Sequence, residues 1–165
     1  MYDFVRHINK LVASVTDTAN RQQQTTETMK KIVLISCVFK KGNRKTKAKD
    51  LYESPLFAKS LAYGQKLNPD NIYILSAQHH LLDLDTEIEP YDRTLNKMSK
   101  NDRTNWGKRV IEQLQKVADI KKDKFIILAG QNYLTPIQNS LTNIDLPLNG
   151  KKIGERLQFL TNELK

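Results

Sequence analysis

Three short apolar runs rich in β-branched residues predict the strands of a buried sheet. They are Ile32-Val33-Leu34-Ile35, Ile72-Tyr73-Ile74-Leu75 and Phe125-Ile126-Ile127-Leu128. Continuous apolar runs, rather than alternating ones, are typical of parallel strands that are covered on both faces. A small or polar break follows each run, at Ser36-Cys37, Ser76-Ala77 and Ala129-Gly130.

Amphipathic stretches between these runs predict crossover helices. Ser54-Pro55 begins one with a capping residue and a proline at the first helical position, and Asn68-Pro69 ends it. Ser99 caps a second, whose apolar stripe runs from Trp106 to Val117-Ala118. Two further helices are predicted over residues 132–141 and 154–164. The alternation predicts an α/β domain, with a small parallel or mixed sheet of at least three strands and helices on its faces.

Residues 1–29 differ from the rest of the chain. Apolar residues at helical spacing predict a short amphipathic helix over residues 3–15. Residues 16–28 are polar, with too few apolar groups to offset the entropy of ordering. We therefore predict an N-terminal arm over residues 1–29 and one α/β domain over residues 30–165. The alternative is that translation starts at Met29, directly before the first strand.

Composition narrows the class of protein. Lys and Arg number 27 against 18 Asp and Glu, so the net charge of +9 favours phosphate-bearing partners such as a nucleotide or nucleic acid. The alternative is that the excess serves solubility alone. No apolar stretch reaches the about 20 residues of a membrane helix, and no secretory signal pattern is present, so we predict a cytoplasmic protein without membrane contact. A single cysteine excludes an internal disulfide.

Ligands of open α/β sheets bind beyond the carboxyl ends of the strands. The segments that follow the three predicted strands therefore predict one site at that edge. Its candidate ligand-binding residues are Ser36, Cys37, Tyr52, Ser54, Ser76, His79, His80, Tyr91, Gly130 and Tyr133. No ligand set for a metal and no cofactor motif is indicated, and the glycine spacing does not fit a Walker loop.

A basic loop follows the first strand and is predicted to contact the phosphates of a nucleic acid. Its candidate residues are Lys40, Lys41, Arg44, Lys45, Lys47 and Lys49. One alternative is a solvated charge run, and another is pairing with the acidic segment 83–92. Lys40, Lys41 and Asp92 are the candidate catalytic residues, and Asp92 is expected to be buried against the loop, since a buried carboxylate needs a partner.

Cys37 and the histidine pair each allow two interpretations. Cys37 is a nucleophile if a nearby lysine lowers its pKa, or a small buried apolar group. His79 and His80 serve acid–base chemistry, or one is exposed while the other satisfies backbone groups in the turn.

These segments resemble a small bacterial and phage family of uncharacterised domains. The resemblance covers residues 31–164. It rests on Ile35-Ser36-Cys37 with 50–57, on Leu75-Ser76-Ala77 with 81–85 and 88–95, on 128–130 with Tyr133, and on 154–160. The central motif is also similar, more distantly, to the YaaA peroxide-stress family. The Cys, Lys and Tyr-x-Ser series is similar to the core domain of archaeosine synthase. These likenesses imply a YaaA-like fold and a role with DNA or a nucleobase. The family's Tyr-Gly pair is replaced by His79-His80, so His80 is expected to adopt the conformation of that glycine.

We predict that the domain binds a nucleobase-containing ligand, which is a nucleotide, a nucleoside or a nucleic acid. Base modification or cleavage of an N-glycosidic bond is the candidate chemistry, with Tyr52, Ser54, Ser76 and Tyr91 positioning the ligand. One alternative is a non-catalytic DNA-binding protein of stress or phage origin, which uses the basic loop and the Arg/Lys face of residues 99–118. The other is a protein that binds a small nucleotide.

Overall fold

The computed structural model describes residues 27–165. The predicted helix over residues 3–15 and most of the polar linker lie outside the described residues. No helix within 27–165 has both the length and the apolar character that crossing a membrane requires.

The main sheet has five strands and follows the predicted α/β pattern. They are β1 (Lys31–Ser36), β3 (Asn71–Ser76), β4 (His80–Asp83), β6 (Lys124–Leu128) and β7 (Asn143–Asp145). Their order is β4-β3-β1-β6-β7. The pairs β1–β3, β1–β6 and β6–β7 are parallel, whereas β4 runs antiparallel to β3. The three predicted strands are confirmed, and the sheet is of the mixed kind.

A separate two-stranded ribbon pairs β2 (Thr46–Lys47) with β5 (Glu87–Ile88) in the antiparallel direction. The sequence analysis did not predict these strands, nor β4 and β7, because each has only two to four residues and no continuous apolar run. The ribbon joins the basic loop to the acidic segment. Backbone hydrogen bonds from Ala48 N to Thr86 O and from Lys49 N to Leu84 O extend this contact.

Within residues 27–165, four α-helices lie between strands and a fifth follows β7. They are α1 (Ala48–Leu51), α2 (Pro55–Lys66), α3 (Lys100–Leu114), α4 (Gln131–Gln138) and α5 (Ile153–Glu163), with a 3-10 helix at Leu95–Lys97. The two predicted caps are confirmed: Ser54 Oγ accepts from the backbone N–H groups of Leu56 and Phe57, and Ser99 Oγ accepts from that of Asp102.

Helix α3 ends at Leu114, so the prediction that its stripe continues to Val117-Ala118 was wrong. Tight turns follow instead. The buried Asp123 carboxylate accepts from the backbone N–H groups of Lys30 and Asp119, at 2.8 Å each. This carboxylate fixes the turn that leads into β6, because it satisfies donors that no helix or strand would pair.

The helices pack as two pairs, α2 with α5 and α3 with α4. Glycines permit the closest approaches. A Cβ atom on Gly64 would lie 3.0 Å from Val33 of β1, and one on Gly107 would lie 2.4 Å from the carbonyl oxygen of Pro136 in α4. The parallel strands within this packing end at one edge of the sheet, where segments 37–53, 77–79 and 89–98 lie.

Candidate functional site

Three hydroxyl groups meet at the sheet edge. Ser76, the last residue of β3, has its Oγ 2.8 Å from the Tyr91 hydroxyl, and that hydroxyl lies 2.7 Å from the hydroxyl of Tyr52. Ser76 Oγ also accepts from the backbone N–H groups of Gln78 and His79. Since those donors occupy its two lone pairs, Ser76 donates to Tyr91, and Tyr91 in turn donates to Tyr52.

Tyr52 and Tyr91, the two phenols that belong to this chain of hydroxyl groups, are neutral at physiological pH. Burial, followed by the nearby Cys37, raises the pKa of Tyr52 to about 12. The same two causes, burial first, raise the pKa of Tyr91. Neither phenol is therefore suited to act as a general base. The chain of hydroxyls holds the segment that carries Tyr91 against the end of β3.

Lys41 places its ammonium among aromatic rings. Its Nζ lies 4.3 Å from the centre of the Tyr91 ring, 5.7 Å from that of Tyr52 and 5.8 Å from that of Phe39. Partial burial lowers the pKa of Lys41, although Cys37 and Asp92 act in the opposite direction. Attraction between a cation and a ring is worth about 0.5–2 kcal/mol. The arrangement gives a positioned amine that loses its proton more readily than an ordinary lysine.

Cys37 and Tyr133 form the layer beneath. Cys37 is buried, and its Sγ lies 3.3 Å from the Tyr133 hydroxyl. Tyr133 packs edge-on against Trp106, whose indole N–H donates to the carbonyl oxygen of Ser76. Buried side chains with mutual hydrogen bonds support the site from below, so the geometry favours the interpretation of Cys37 as a packed apolar group.

His79 and His80 lie in different surroundings. His80 has a φ of 63°, so it adopts the conformation expected from its replacement of a glycine. His79 packs edge-on against Tyr91, and its Nε2 is buried without a hydrogen bond to any described residue. Burial lowers the pKa of both, and for His80 the neighbouring Arg109 and Arg93 add to the effect.

Two open depressions adjoin this cluster and share Asp92. The first, of about 490 Å³, is lined by Phe39, Lys40, Lys41, Gly42, Pro90, Tyr91 and Asp92. The second, of about 720 Å³, is lined by Ala77, Gln78, His80, Asp92, Arg93, Thr94, Lys97, Met98, Asp102, Asn105, Trp106 and Arg109. We call the two together the groove. Each is within the size range of small-ligand sites.

Asp92 lies exposed at the junction of these depressions. The expectation that it is buried and paired with the basic loop was wrong, since it makes no ion pair among residues 27–165. Tyr91 is held by its hydrogen bonds in the chain of hydroxyl groups, whereas the next residue, Asp92, is exposed.

Sequence reasoning missed Phe39, Arg93, Lys97 and Arg109 as lining residues of the groove. Phe39 had a usable signal, because an apolar aromatic residue stands there directly before two lysines. Arg109 was included only in the basic face of residues 99–118. Nothing in the chain order indicates that this face meets the segment after Tyr91.

Several predicted residues lie elsewhere. Ser36 and Gly130 line a separate small cavity beside Arg156. The Ser54 hydroxyl is used in capping α2. Arg44 and Lys45 are exposed and line neither depression of the groove.

The basic loop is divided between two environments. Lys40 and Lys41, the groove end, line the first depression. Lys47 and Lys49, the ribbon end, both pair with Asp85 across the β2–β5 ribbon, at 3.3 and 2.8 Å. The alternative that basic and acidic segments pair with each other is therefore confirmed for the ribbon end. Within residues 27–165, no group of three or more His, Cys, Asp or Glu side chains could hold a metal ion.

Comparison with known proteins gives one family. The model of DUF6884, a family of unknown function, matches residues 32–162, which is most of the predicted domain. No curated protein matches the chain significantly. The resemblance to a family of uncharacterised domains is confirmed at that level, and it leaves the function to be inferred from the groove.

Proposed function

We propose that this chain, which belongs to the DUF6884 family, binds a nucleobase-containing ligand that carries phosphate, with the groove as its site. The observation that carries the proposal is the convergence of two depressions on Asp92, with cations on both sides and the rings of Phe39 and Tyr91 in the first. A nucleotide, a nucleoside phosphate or a nucleic-acid segment offers groups that match such a surface.

Unpaired charge supports an anionic ligand. Five cations line the groove, namely Lys40, Lys41, Arg93, Lys97 and Arg109. Among the described residues none of them makes an ion pair. Asp102, which also lines the groove, accepts a hydrogen bond from Ser99 Oγ at 2.8 Å. The cations are therefore free to meet phosphate oxygens, as in other phosphate sites.

A catalytic role is the second candidate, and the environment of Lys41 favours it. A partly buried amine whose pKa is lowered is a better nucleophile or base than an exposed lysine. Base modification or cleavage of an N-glycosidic bond would use Lys41 as that amine, with Asp92 and Lys40 beside it.

Two non-catalytic versions use the same surface. A DNA-binding protein would use the groove end together with the basic face of α3, and a nucleotide-binding protein would use the groove alone. The distant similarity to the YaaA family favours the DNA-binding version. That similarity, the phage or stress origin and the cytoplasmic location stay predictions.

Binding is tested by titration at several salt concentrations. Trp106, the single tryptophan, lines the second depression, so its fluorescence should change when nucleotides or short DNA and RNA strands are added. Affinity for polyanions should fall with salt through counterion release. Replacing Lys40 and Lys41 by Ser should weaken binding and make the slope of log K against log salt shallower by up to about 2.

The matched control replaces Lys47 and Lys49 by Ser. It removes the same net charge from the same segment but leaves the groove intact, so binding should change little. Equal losses in the two variants would mean that net charge alone attracts the ligand. No binding by the wild type at low salt would refute the proposal.

Catalysis is tested separately by incubating the protein with nucleosides and oligonucleotides and analysing the products by chromatography. Lys41→Met should abolish release or modification of a base while ligand binding persists. Binding without any product in the wild type would leave the non-catalytic versions.

A further inference from the structure

The groove contains three chemically distinct stretches in a fixed order. Phe39 borders one end, the Asp92 carboxylate lies at the junction, and Arg93, Lys97 and Arg109 line the other end. A nucleotide has the same order of parts: an aromatic base, a ribose with hydroxyl donors and a phosphate. On the basis of the proposed function, we propose that a ribonucleoside phosphate binds in one orientation, with its base on Phe39, its ribose at Asp92 and its phosphate among the three cations.

Phe39 has the properties of a stacking surface. Its side chain is 67 % exposed, and it is the one aromatic residue among the large exposed hydrophobic residues of the described chain. The Lys41 ammonium lies 5.8 Å from the centre of this ring, and the large exposed area that remains is available for a base to stack on. Such stacking is sequence-tolerant because every base has a π face. Lys40 and Lys41 lie beside Phe39, where they would donate to acceptor atoms of the base edge of a mononucleotide or contact the next phosphate of a strand.

The opposite end is suited to phosphate. Arg93, Lys97 and Arg109 come from two elements, the loop after Tyr91 with its 3-10 helix and α3. His80 lies in the same depression and adds a donor. One guanidinium group can bind two phosphate oxygens at once, so this end offers both positive charge and donors with the spacing that a phosphate needs. No phenyl or phenol ring lines this end, and the indole of Trp106 is buried and donates to the carbonyl oxygen of Ser76.

Asp92 determines in which of two orientations the nucleotide binds along the groove. An ionised carboxylate only accepts hydrogen bonds, so it repels a phosphate and attracts hydroxyl groups. Asp92 is exposed and makes no ion pair within residues 27–165, so its oxygens are available. A ribose between the two ends would place its hydroxyls at this carboxylate. The reverse orientation would place the phosphate near Phe39 and the base among the arginines, away from the exposed phenyl ring.

The inference is tested by calorimetric titration of the full chain with inorganic pyrophosphate, with the ribonucleoside 5′-monophosphates, and with a 2′,3′-dideoxy analogue of the tightest one. Phe39→Leu should weaken nucleotide binding about tenfold, in line with the loss of one stacked base, and leave pyrophosphate unchanged. Arg109→Gln should weaken both. Asp92→Asn should weaken the ribonucleotide and not the dideoxy analogue.

The variants alter exposed side chains, so folding should be kept, and the wild-type thermal transition serves as the check. If Phe39→Leu weakens pyrophosphate as much as the nucleotide, or if Asp92→Asn affects both nucleotides equally, the orientation is overturned while the proposed function stands. If the wild type binds no nucleotide, both fail. An oligonucleotide that binds more tightly than its mononucleotide, with the same response to the variants, would show that the bound nucleotide belongs to a strand.

Discussion

The two ends of the basic loop carry the same kind of side chain in opposite surroundings. At the groove end, the Lys41 ammonium lies among three rings, and partial burial lowers its pKa. At the ribbon end, Lys49 lies 2.8 Å from Asp85, and this hydrogen bond raises its pKa. At the ribbon end one carboxylate, Asp85, pairs with both lysines and offsets one of their two charges, whereas Lys40 and Lys41 make no ion pair among residues 27–165 and remain for a ligand.

This difference shows that the number of basic residues in a segment overestimates how many of them are available to bind a ligand. Six basic residues occur between positions 40 and 49, yet only the first two line the groove. Exposed ion pairs such as those of Asp85 contribute little to stability, because solvent screens the two charges. Their effect is to remove Lys47 and Lys49 from the set of free cations, whereas Lys40 and Lys41 make no ion pair among residues 27–165.

The largest expected effect concerns the hydroxyl chain that positions the groove end. Tyr91→Phe leaves the hydroxyls of Ser76 and Tyr52 without their partner, so it should lower the free energy of unfolding by about 2 kcal/mol. Urea denaturation measures the change. The sequence alone predicted nearly unchanged stability if this hydroxyl faces a ligand.

The matched control for that variant is Tyr73→Phe. The Tyr73 hydroxyl belongs to a buried ring and makes no hydrogen bond to residues 27–165, so its removal should change stability little. Equal effects of the two variants would contradict a structural role of Tyr91, and its hydroxyl would then be a contact for the ligand.

The next effect is a difference in pH dependence between the histidines beside the groove and the ribbon end. Burial lowers the folded-state pKa of His79 and His80 below the ordinary 6.5, and Arg109 and Arg93 add to this at His80. The unfolded chain therefore binds protons first, and stability should decline as pH falls through about 6.5. At the ribbon end, hydrogen bonds from Lys49 and Lys47 lower the pKa of Asp85 below 3.8, so its contribution is lost only in a more acidic range.

Urea unfolding between pH 8 and pH 3 tests this order. His80→Asn keeps a residue that tolerates a positive φ and removes one titrating group, so the decline near neutral pH should flatten. An unchanged profile in this variant would mean that His80 titrates alike in the folded and unfolded chains.

A chemical measurement compares the lysines directly. A small acylating reagent reacts with the neutral amine, so modification of Lys41 should begin at a lower pH than that of Lys49. Mass spectrometry of peptides across a pH series gives, in one sample, the pH at which each lysine begins to react. Comparing these two pH values, rather than the extents of modification, removes the effect of a difference in reagent access. An equal onset would contradict the difference in environment.

The elements that the sequence predicted correctly are those with strong local signals. The strand cores of β1, β3 and β6 have uninterrupted apolar runs, and Ser54 and Ser99 have cap patterns that depend on neighbours within three residues. The ribbon depends on pairing between distant segments, and β4, which forms a hairpin with β3, has only four residues, so no local pattern indicates either.

The candidate site shows the same limit. Tyr52, Ser76 and Tyr91 were predicted to lie over one edge, and the structure joins them by hydrogen bonds. Ser36 was placed in the same set because strand ends meet at one edge, but it lines a different cavity. A strand-end rule gives the edge of the sheet, whereas the direction of a side chain depends on the register and on what folds over it.

The smallest expected effect concerns the ribbon end itself. Asp85→Asn removes the partner of Lys47 and Lys49, whose pairs are exposed, so the free energy of unfolding should fall only slightly. The loss should shrink as salt screens the charges. The released lysines add two free cations near the loop, so polyanion binding at low salt should rise slightly. Titration of a short DNA strand at two salt concentrations, beside the unfolding curves, measures both changes. A marked loss of ligand affinity would instead mean that the ribbon holds Lys40 and Lys41 in position, and the two ends would not be independent.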